Sequence, residues 1–338
     1  MNPVRLLTAG LLTVALPLAA HPQDSKLRVA AAITYEETGR PQGLPEAFQP
    51  GSSATFLTIT SIDGHQNNAV LWRSSKGGDS LVVSTGGSGG AYHADPLSNL
   101  GRGLSDAGTS VLSINTRQTG DRVNTDNFFD IGRDLDAAVK VARSLGYKTI
   151  VLHGHSLGNI HVQFYAATHW DSDIKGVVLT SAFADLPWKS RNMLVQDEAR
   201  YLELRNIAHD YQRSGKAAER LPKEMSERLR RASGSSIVTS QHFLTYRSTE
   251  ASTASGVYWI KRIPYPILLV RDEADPINTD FEPYMLPSAA TSEGTLVPSI
   301  HFELLTNPNP PSYRAHMFIE NREALVRTVS AWLKAGGL

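Results

Sequence analysis

The chain has 338 residues, 41% of them hydrophobic and 20% charged, which suits one large or two ordinary globular domains and excludes fibrous, collagenous and disordered classes. Lys plus Arg number 33 and Asp plus Glu number 33, so the formal net charge is zero and nothing in it points to nucleic acid or another polyanion as partner. There is no cysteine, which removes disulfides, thiol catalysis and thiolate metal sites; any nucleophile is another residue type.

In chain order, residues 1–20 read MNPVRLLTAGLLTVALPLAA: Arg5, then an apolar stretch from Leu6 to Ala20 that ends in small residues. This is the pattern of a secretory signal peptide, with cleavage expected near Ala20, although Leu18 stands where a small residue is usual. The run falls short of the roughly 20 apolar residues that span a bilayer, and Pro17 sits near its end. The remaining chain, 21–338, is therefore expected to be periplasmic or secreted, a single domain with no stable membrane insertion.

Short apolar runs rich in β-branched residues follow at Thr55–Ile62, Ala69–Arg73, Ser80–Ser84, Thr109–Ile114, Lys148–His153, Lys175–Thr180, Pro266–Arg271 and Ile300–Leu305. Helical patterns lie between many of them. The clearest is Asp126–Leu145, where Phe128, Ile131, Leu135, Ala138, Val139, Ala142 and Leu145 recur three or four apart, with Gly146 as a stop. This alternation predicts an α/β fold: a mostly parallel sheet of about eight strands, covered by helices on both faces, with antiparallel strands added at one edge. Between about Asp185 and Tyr258 the strand signal disappears and the chain becomes charged and helix-prone, which predicts a helical insertion over the sheet with a solvated outer face. Leu194, Tyr201, Leu202, Leu204 and Ile207 belong either to that insertion's own core or to a substrate pocket, and Trp188 and Trp259 either pin the insertion or contact substrate.

The segment Lys148–Asn159, KTIVLHGHSLGN, runs a strand directly into Gly154-His155-Ser156-Leu157-Gly158 and then into a helical pattern reaching about His169. This is the G-x-S-x-G nucleophile elbow in its proper setting. A serine on a sharp, strained turn needs neighbours without side chains two residues away, and Gly154 and Gly158 supply that clearance. Ser156 is the predicted nucleophile. His153-x-His155 offers two candidate metal ligands but no third, so His153 is expected to be packed or hydrogen-bonded, with no metal bound. Thr85-Gly86-Gly87-Ser88-Gly89-Gly90 is glycine-rich after a strand, yet it has neither G-K-S/T nor the G-x-G-x-x-G register of a nucleotide site.

On these motifs, from roughly Ala54 to Ala335, the chain resembles the α/β-hydrolase fold superfamily, with the insertion as its cap. The resemblance implies a serine esterase or lipase-like enzyme with no cofactor and a triad in the chain order Ser, Asp or Glu, His. PILLVRDEADPI looks like the penultimate strand and acid turn, which implies Asp275 as the acid; Asp272 stands where the family often has Gly, leaving Asp272 or Glu273 as lesser alternatives. The histidine is implied after the last strand, where His316 fits better than His301, which lies within the strand. The resemblance also implies oxyanion donors at the Leu157 amide and, from a loop with Thr85 in place of the usual His, at Gly87, with Gly86 the runner-up. Arg117 in INTRQTGD is expected to brace structure rather than hold substrate. Tyr92, His93 and Asp95 follow the oxyanion loop and are candidates to line the pocket, although for Asp95 the ordinary role is to cap a helix that begins near Pro96. The implied substrate is a small-molecule ester, small or aryl, with amides, lactones and activated carbon–carbon bonds as alternatives for the same triad and a non-catalytic binder as the competitor from another class.

Overall fold

Along each central strand, successive side chains point to opposite faces, and that alternation sorts the apolar residues into two cores. The computed structural model describes residues 32–51, 53–195, 197–222, 238–251, 253–278, 281–336 and 338; the signal-like segment 1–20 lies outside the described residues. One nine-stranded sheet runs β1-β2-β3-β5-β4-β6-β7-β8-β9. Its strands are β1 (Thr34–Thr38), β2 (Ala54–Thr60), β3 (Gln66–Trp72), β4 (Ser80–Thr85), β5 (Ser110–Ile114), β6 (Thr149–His155), β7 (Ile174–Thr180), β8 (Ile267–Asp272) and β9 (Ile300–Leu305). β1, β2, β3 and β5 pair antiparallel in succession, and the rest, from β5 across β4 to β9, are parallel. The eight apolar runs correspond to β2 through β9. The additional strand, β1, reads TYEET and is exposed along almost its whole length, so it carries no apolar alternation to announce it.

Ten described α-helices are α1 (Leu97–Ala107), α2 (Ile131–Ser144), α3 (Gly158–Thr168), α4 (Leu186–Lys189), α5 (Glu198–Arg213), α6 (Ser240–His242), α7 (Gly256–Ile260), α8 (Glu282–Ala290), α9 (Tyr313–His316) and α10 (Arg322–Ala335). On one face Leu81, Val83, Leu152, Val177 and Leu269 pack with α2, α3, α7 and α8; on the other Val82, Val151, Val178 and Leu268 pack with Leu100 and Leu104 of α1 and Leu325 and Val329 of α10. Each such side chain contributes about 1.5–3 kcal/mol when fully buried. α1 has no side-chain cap: Asp95 does not cap it as expected, because its carboxylate is engaged by Arg322 at the start of α10.

Between β7 and β8 the described chain is helical. Its neck is closed by Leu186 N donating to Ala254 O at 3.1 Å and Val257 N donating to Ala184 O at 3.1 Å, on either side of a bridge between Asp185 and Ser255. Tyr201, Leu204, Phe243 and Val238 form a separate small core with Leu202 and Ile207 against it. Leu194 is different, packing instead with Phe183 and Leu157 at the edge of the sheet. Trp259 packs on Phe164 with ring centroids 5.1 Å apart and donates to Thr253 O at 2.6 Å, while half-exposed Trp188 meets Phe281. Not every charge of the segment is solvated: Lys189 and Arg247 are buried.

Candidate active site

The parallel strands carry their C-terminal ends to one edge, and that edge is where the candidate residues meet. Ser156 sits between β6 and α3 at φ 54°, a left-handed conformation that costs a non-glycine residue about 1–3 kcal/mol. The turn is held by Ser156 N and Asn159 Nδ2, which both donate to Thr180 O at the end of β7, at 3.0 and 2.7 Å. A β-carbon at Gly154 would lie 2.4 Å from Gly158 O, and one at Gly158 would lie 2.6 Å from Gly86 O, so neither position tolerates a side chain.

His316 lies at the end of α9, buried, with its carbonyl accepting from Ser181 Oγ at 2.9 Å. Its Nε2 is 3.0 Å from Ser156 Oγ and its Nδ1 is 2.9 Å from Asp275 Oδ2. Ser156, His316 and Asp275 therefore form one hydrogen-bonded line. Asp275 Oδ1 accepts from Ile277 N at 2.9 Å and Oδ2 from Asn278 Nδ2 at 3.1 Å. Burial alone would raise this carboxyl, but the bond to His316, its charge, the Ile277 amide and Arg271 outweigh burial and hold it below the usual carboxylate range.

The alternative acids are otherwise engaged. Asp272 is fully buried and accepts from Ala274 N, Asn307 Nδ2 and Asn321 Nδ2, tying β8 to the loop after β9, and Glu273 Oε1 accepts from Asn307 N at 2.7 Å. His301 is exposed beside Glu303. His153 bridges Ser84 Oγ at 2.7 Å and Thr180 Oγ1 at 3.0 Å, fully inside the protein, while the His155 ring lies 5.1 Å from the His316 ring. Among the described residues no cluster of three His, Asp or Glu side chains is arranged to hold a metal ion.

Opposite Ser156 runs the glycine loop after β4. A β-carbon at Gly87 would come within 2.6 Å of Ser156 Cβ and 3.1 Å of Leu157 N, so the absence of a side chain lets that backbone reach the serine. Among the described residues neither the Gly87 nor the Leu157 amide donates to a protein acceptor. The loop is itself positioned by Arg117's segment: Gly89 N donates to Gln118 O at 3.0 Å, and Thr119 Oγ1 donates to Gly90 O at 3.0 Å. Arg117 anchors that segment, donating to Asp134 Oδ1 at 2.8 Å and Asp63 Oδ2 at 3.1 Å. It faces carboxylates of its own chain rather than the serine.

Two cavities meet at Ser156, sharing Ser88 and Ile277. One, of about 420 Å³, is lined by Gly87, His316, Tyr313, Met317 and Asp95. The other, of about 290 Å³, is lined by Leu157, Phe183, Leu194, Lys189 and Arg247. Tyr92 is buried against Phe48 and His93 instead of lining either. Sequence reasoning missed Tyr313, Ile277 and Arg247. Tyr313 stands three residues before His316 on the same short helix, which would have been the signal for it; Arg247 lies in a stretch that reads as solvated helix, and nothing local marks it.

The family description "alpha/beta hydrolase fold" matches residues 80–308. No curated protein sequence matches the chain. Among solved structures it is similar to Est1E from Butyrivibrio proteoclasticus with ferulic acid bound, at 17% identity and a TM-score of 0.58 over 82% of this chain and 98% of that one. It is also similar to a thermostable carboxyl esterase from Bacillus coagulans, at 14% identity and 0.62 over 84% and 99%. A third, the siderophore hydrolase EstB from Aspergillus fumigatus, aligns at 14% identity and 0.61 over 80% and 94%. With the family description matching more than half its length, the elbow at Ser156 and the mostly parallel sheet behind it, the chain belongs to the α/β-hydrolase fold family.

Proposed function

We propose that this protein is an exported serine hydrolase that cleaves a carboxylic ester through an acyl-enzyme, with Ser156 as nucleophile. The observation that carries the reading is the continuous line Ser156 Oγ–His316 Nε2–His316 Nδ1–Asp275 Oδ2, with contacts of 3.0 and 2.9 Å. A serine hydroxyl is a poor nucleophile at neutral pH. His316 accepts its proton as Oγ attacks the ester carbonyl, and Asp275 fixes the tautomer and stabilises the imidazolium. Negative charge develops on the carbonyl oxygen between the amides of Leu157 and Gly87. When the tetrahedral intermediate collapses, His316 Nε2 gives its proton to the departing alcohol. Water then repeats the sequence on the acyl-enzyme, releasing the acid and restoring Ser156.

The two-cavity arrangement supports an acyl part and an alcohol part on opposite sides of the serine, and the ferulic acid in one structural relative supports esters with aryl acyl groups. The described residues of the insertion at 185–258 act in this reading as a cap over the Leu157 side, and the pattern at residues 1–20 supports export with cleavage near Ala20. The test is hydrolysis of p-nitrophenyl esters by wild type and Ser156→Ala: kcat should fall on the order of 10⁶-fold, because members of such a unit act together, with an unchanged circular-dichroism spectrum. Retained hydrolysis in Ser156→Ala would remove the reading.

A further inference from the structure

The cavity on the Leu157 side of Ser156 holds a charge that the hydrolytic mechanism leaves unused. Arg247 ends the π-helical segment Phe243–Arg247 of the insertion; it is only 3% exposed, yet it lines that cavity together with Ser156 and Leu157. Its Nη1 reaches Ser190 Oγ at 3.5 Å, at the outer limit of a hydrogen bond, and its Nε is buried without a hydrogen-bond partner. Among the described residues no carboxylate pairs with it: burial acts unopposed and lowers its pKa to about 10. Lys189, the other cation of the cavity, is neutralised, since its Nζ donates to Glu282 Oε2 at 2.8 Å and to Ile277 O at 2.6 Å.

A guanidinium presents five donors in a planar fork that matches a carboxylate, and a charge taken out of water without a partner is strongly unfavourable. A partner brought by the ligand would answer both features. The remaining walls, among them Leu157, Phe183, Leu186, Met193 and Leu194, are apolar and suit a hydrocarbon chain or ring between the serine and the cation. Which half of the ester enters follows from proton transfer. The departing oxygen takes its proton from His316, and His316 lines the other cavity, so the alcohol lies there and the acyl group lies on the Leu157 side.

We infer that the acyl group carries a free carboxylate at its far end, held by Arg247, so that the preferred substrates are monoesters of dicarboxylic acids. This rests on the reading of Ser156 as the hydrolytic nucleophile. The free carboxylate takes no part in bond making or breaking; it orients the acyl group, and the products are the dicarboxylic acid and the alcohol.

The test compares p-nitrophenyl monoesters of C4 to C8 dicarboxylic acids with p-nitrophenyl esters of straight-chain monocarboxylic acids of the same lengths. Wild type should show kcat/KM at least about 10-fold higher for the acid-ended member of a matched pair, and Arg247→Met should lower that ratio at least about 10-fold, to near one, with Arg247→Lys keeping part of it. Good hydrolysis of the neutral esters with no preference for the acid-ended ones overturns this inference and leaves the hydrolase reading standing, as does a preference that Arg247→Met does not change. Absence of hydrolysis of either series, with no reaction of Ser156 towards a fluorophosphonate, overturns both. Should Arg247→Met not fold, the wild-type ratio still decides, and competitive inhibition supplies a second readout: dicarboxylates should inhibit neutral-ester hydrolysis more strongly than monocarboxylates of equal length, and equal inhibition overturns the inference.

Discussion

Asp275 is the residue whose chemistry is most sharply set by its surroundings. Its carboxyl is held below the usual range by His316, the Ile277 amide and Arg271 against the opposing effect of burial, so it stays ionised through neutral pH. A depressed carboxyl pKa contributes stability above the unfolded value, and that contribution disappears as the pH falls through the folded one. Asp275→Asn should therefore flatten the acid limb of the stability curve, read as Tm against pH. In the proposed mechanism it should also lower kcat about 10⁴-fold, the scale on which a wrongly held imidazole tautomer acts in serine hydrolysis. A variant with near-normal kcat would mean that the tautomer of His316 is fixed by another group. Gly87 gives a second prediction. A β-carbon there meets Ser156 Cβ at 2.6 Å, so Gly87→Ala displaces the proposed oxyanion amide and should lower kcat by about 10² to 10³-fold with folding retained. An effect on KM alone would contradict that role. These side chains differ in how visible they are. Ser156 is marked locally, by a strand, two glycines and a helix. Asp275 is marked only by a turn that resembles the family's acid turn, and His316 only by its place after the last strand, so both are identified through the order of residues in the family; only the fold brings positions 156, 275 and 316 together.

Elements are legible where burial is regular and obscure where it is not. β4, β6, β7 and β8 are buried on both faces and read as apolar runs, whereas β1 is a polar edge strand that reads as loop. Asp95 before Pro96 has the composition of a helix cap, but tertiary pairing with Arg322 claims its carboxylate. The insertion looks polar along its sequence and still buries a polar cluster against α3. Asp126 Oδ2 accepts from Tyr246 OH at 3.0 Å, Asp126 Oδ1 lies 3.3 Å from His242 Nδ1, and His161 Nε2 of α3 lies 3.2 Å from the same Tyr246 hydroxyl. Burial pushes the Asp126 carboxyl up to about 7, His161 down to about 3 and His242 well down, so burial favours the neutral form of each group. A raised carboxyl pKa gives stability that is fully present below the unfolded value and is lost as the pH rises through the folded one. Wild type should therefore lose Tm between pH 3.8 and about 7 relative to Asp126→Asn, an isosteric replacement that stays neutral. Parallel Tm–pH curves for the two proteins would contradict the assignment of that loss to Asp126.

At the scale of the whole molecule, the zero net charge says little about substrate; the inferred recognition is local and rests on Arg247, buried beside the serine with no carboxylate paired to it among the described residues. The absence of cysteine excludes thiol chemistry and is compatible with the proposed hydroxyl chemistry at Ser156. The architecture follows from the same residues. A mostly parallel sheet brings its strand ends to one edge, Arg117 holds the segment that positions the glycine loop, and Leu186, Lys189, Met193, Leu194 and Arg247 of the insertion line one side of the serine. The central claim is that Ser156 is activated by His316. It is tested most directly by incubating the protein with a fluorophosphonate and locating the adduct by peptide mass spectrometry. The account predicts stoichiometric phosphonylation of Ser156, strongly slowed in His316→Ala; an unlabelled protein, or label on another residue, would contradict it.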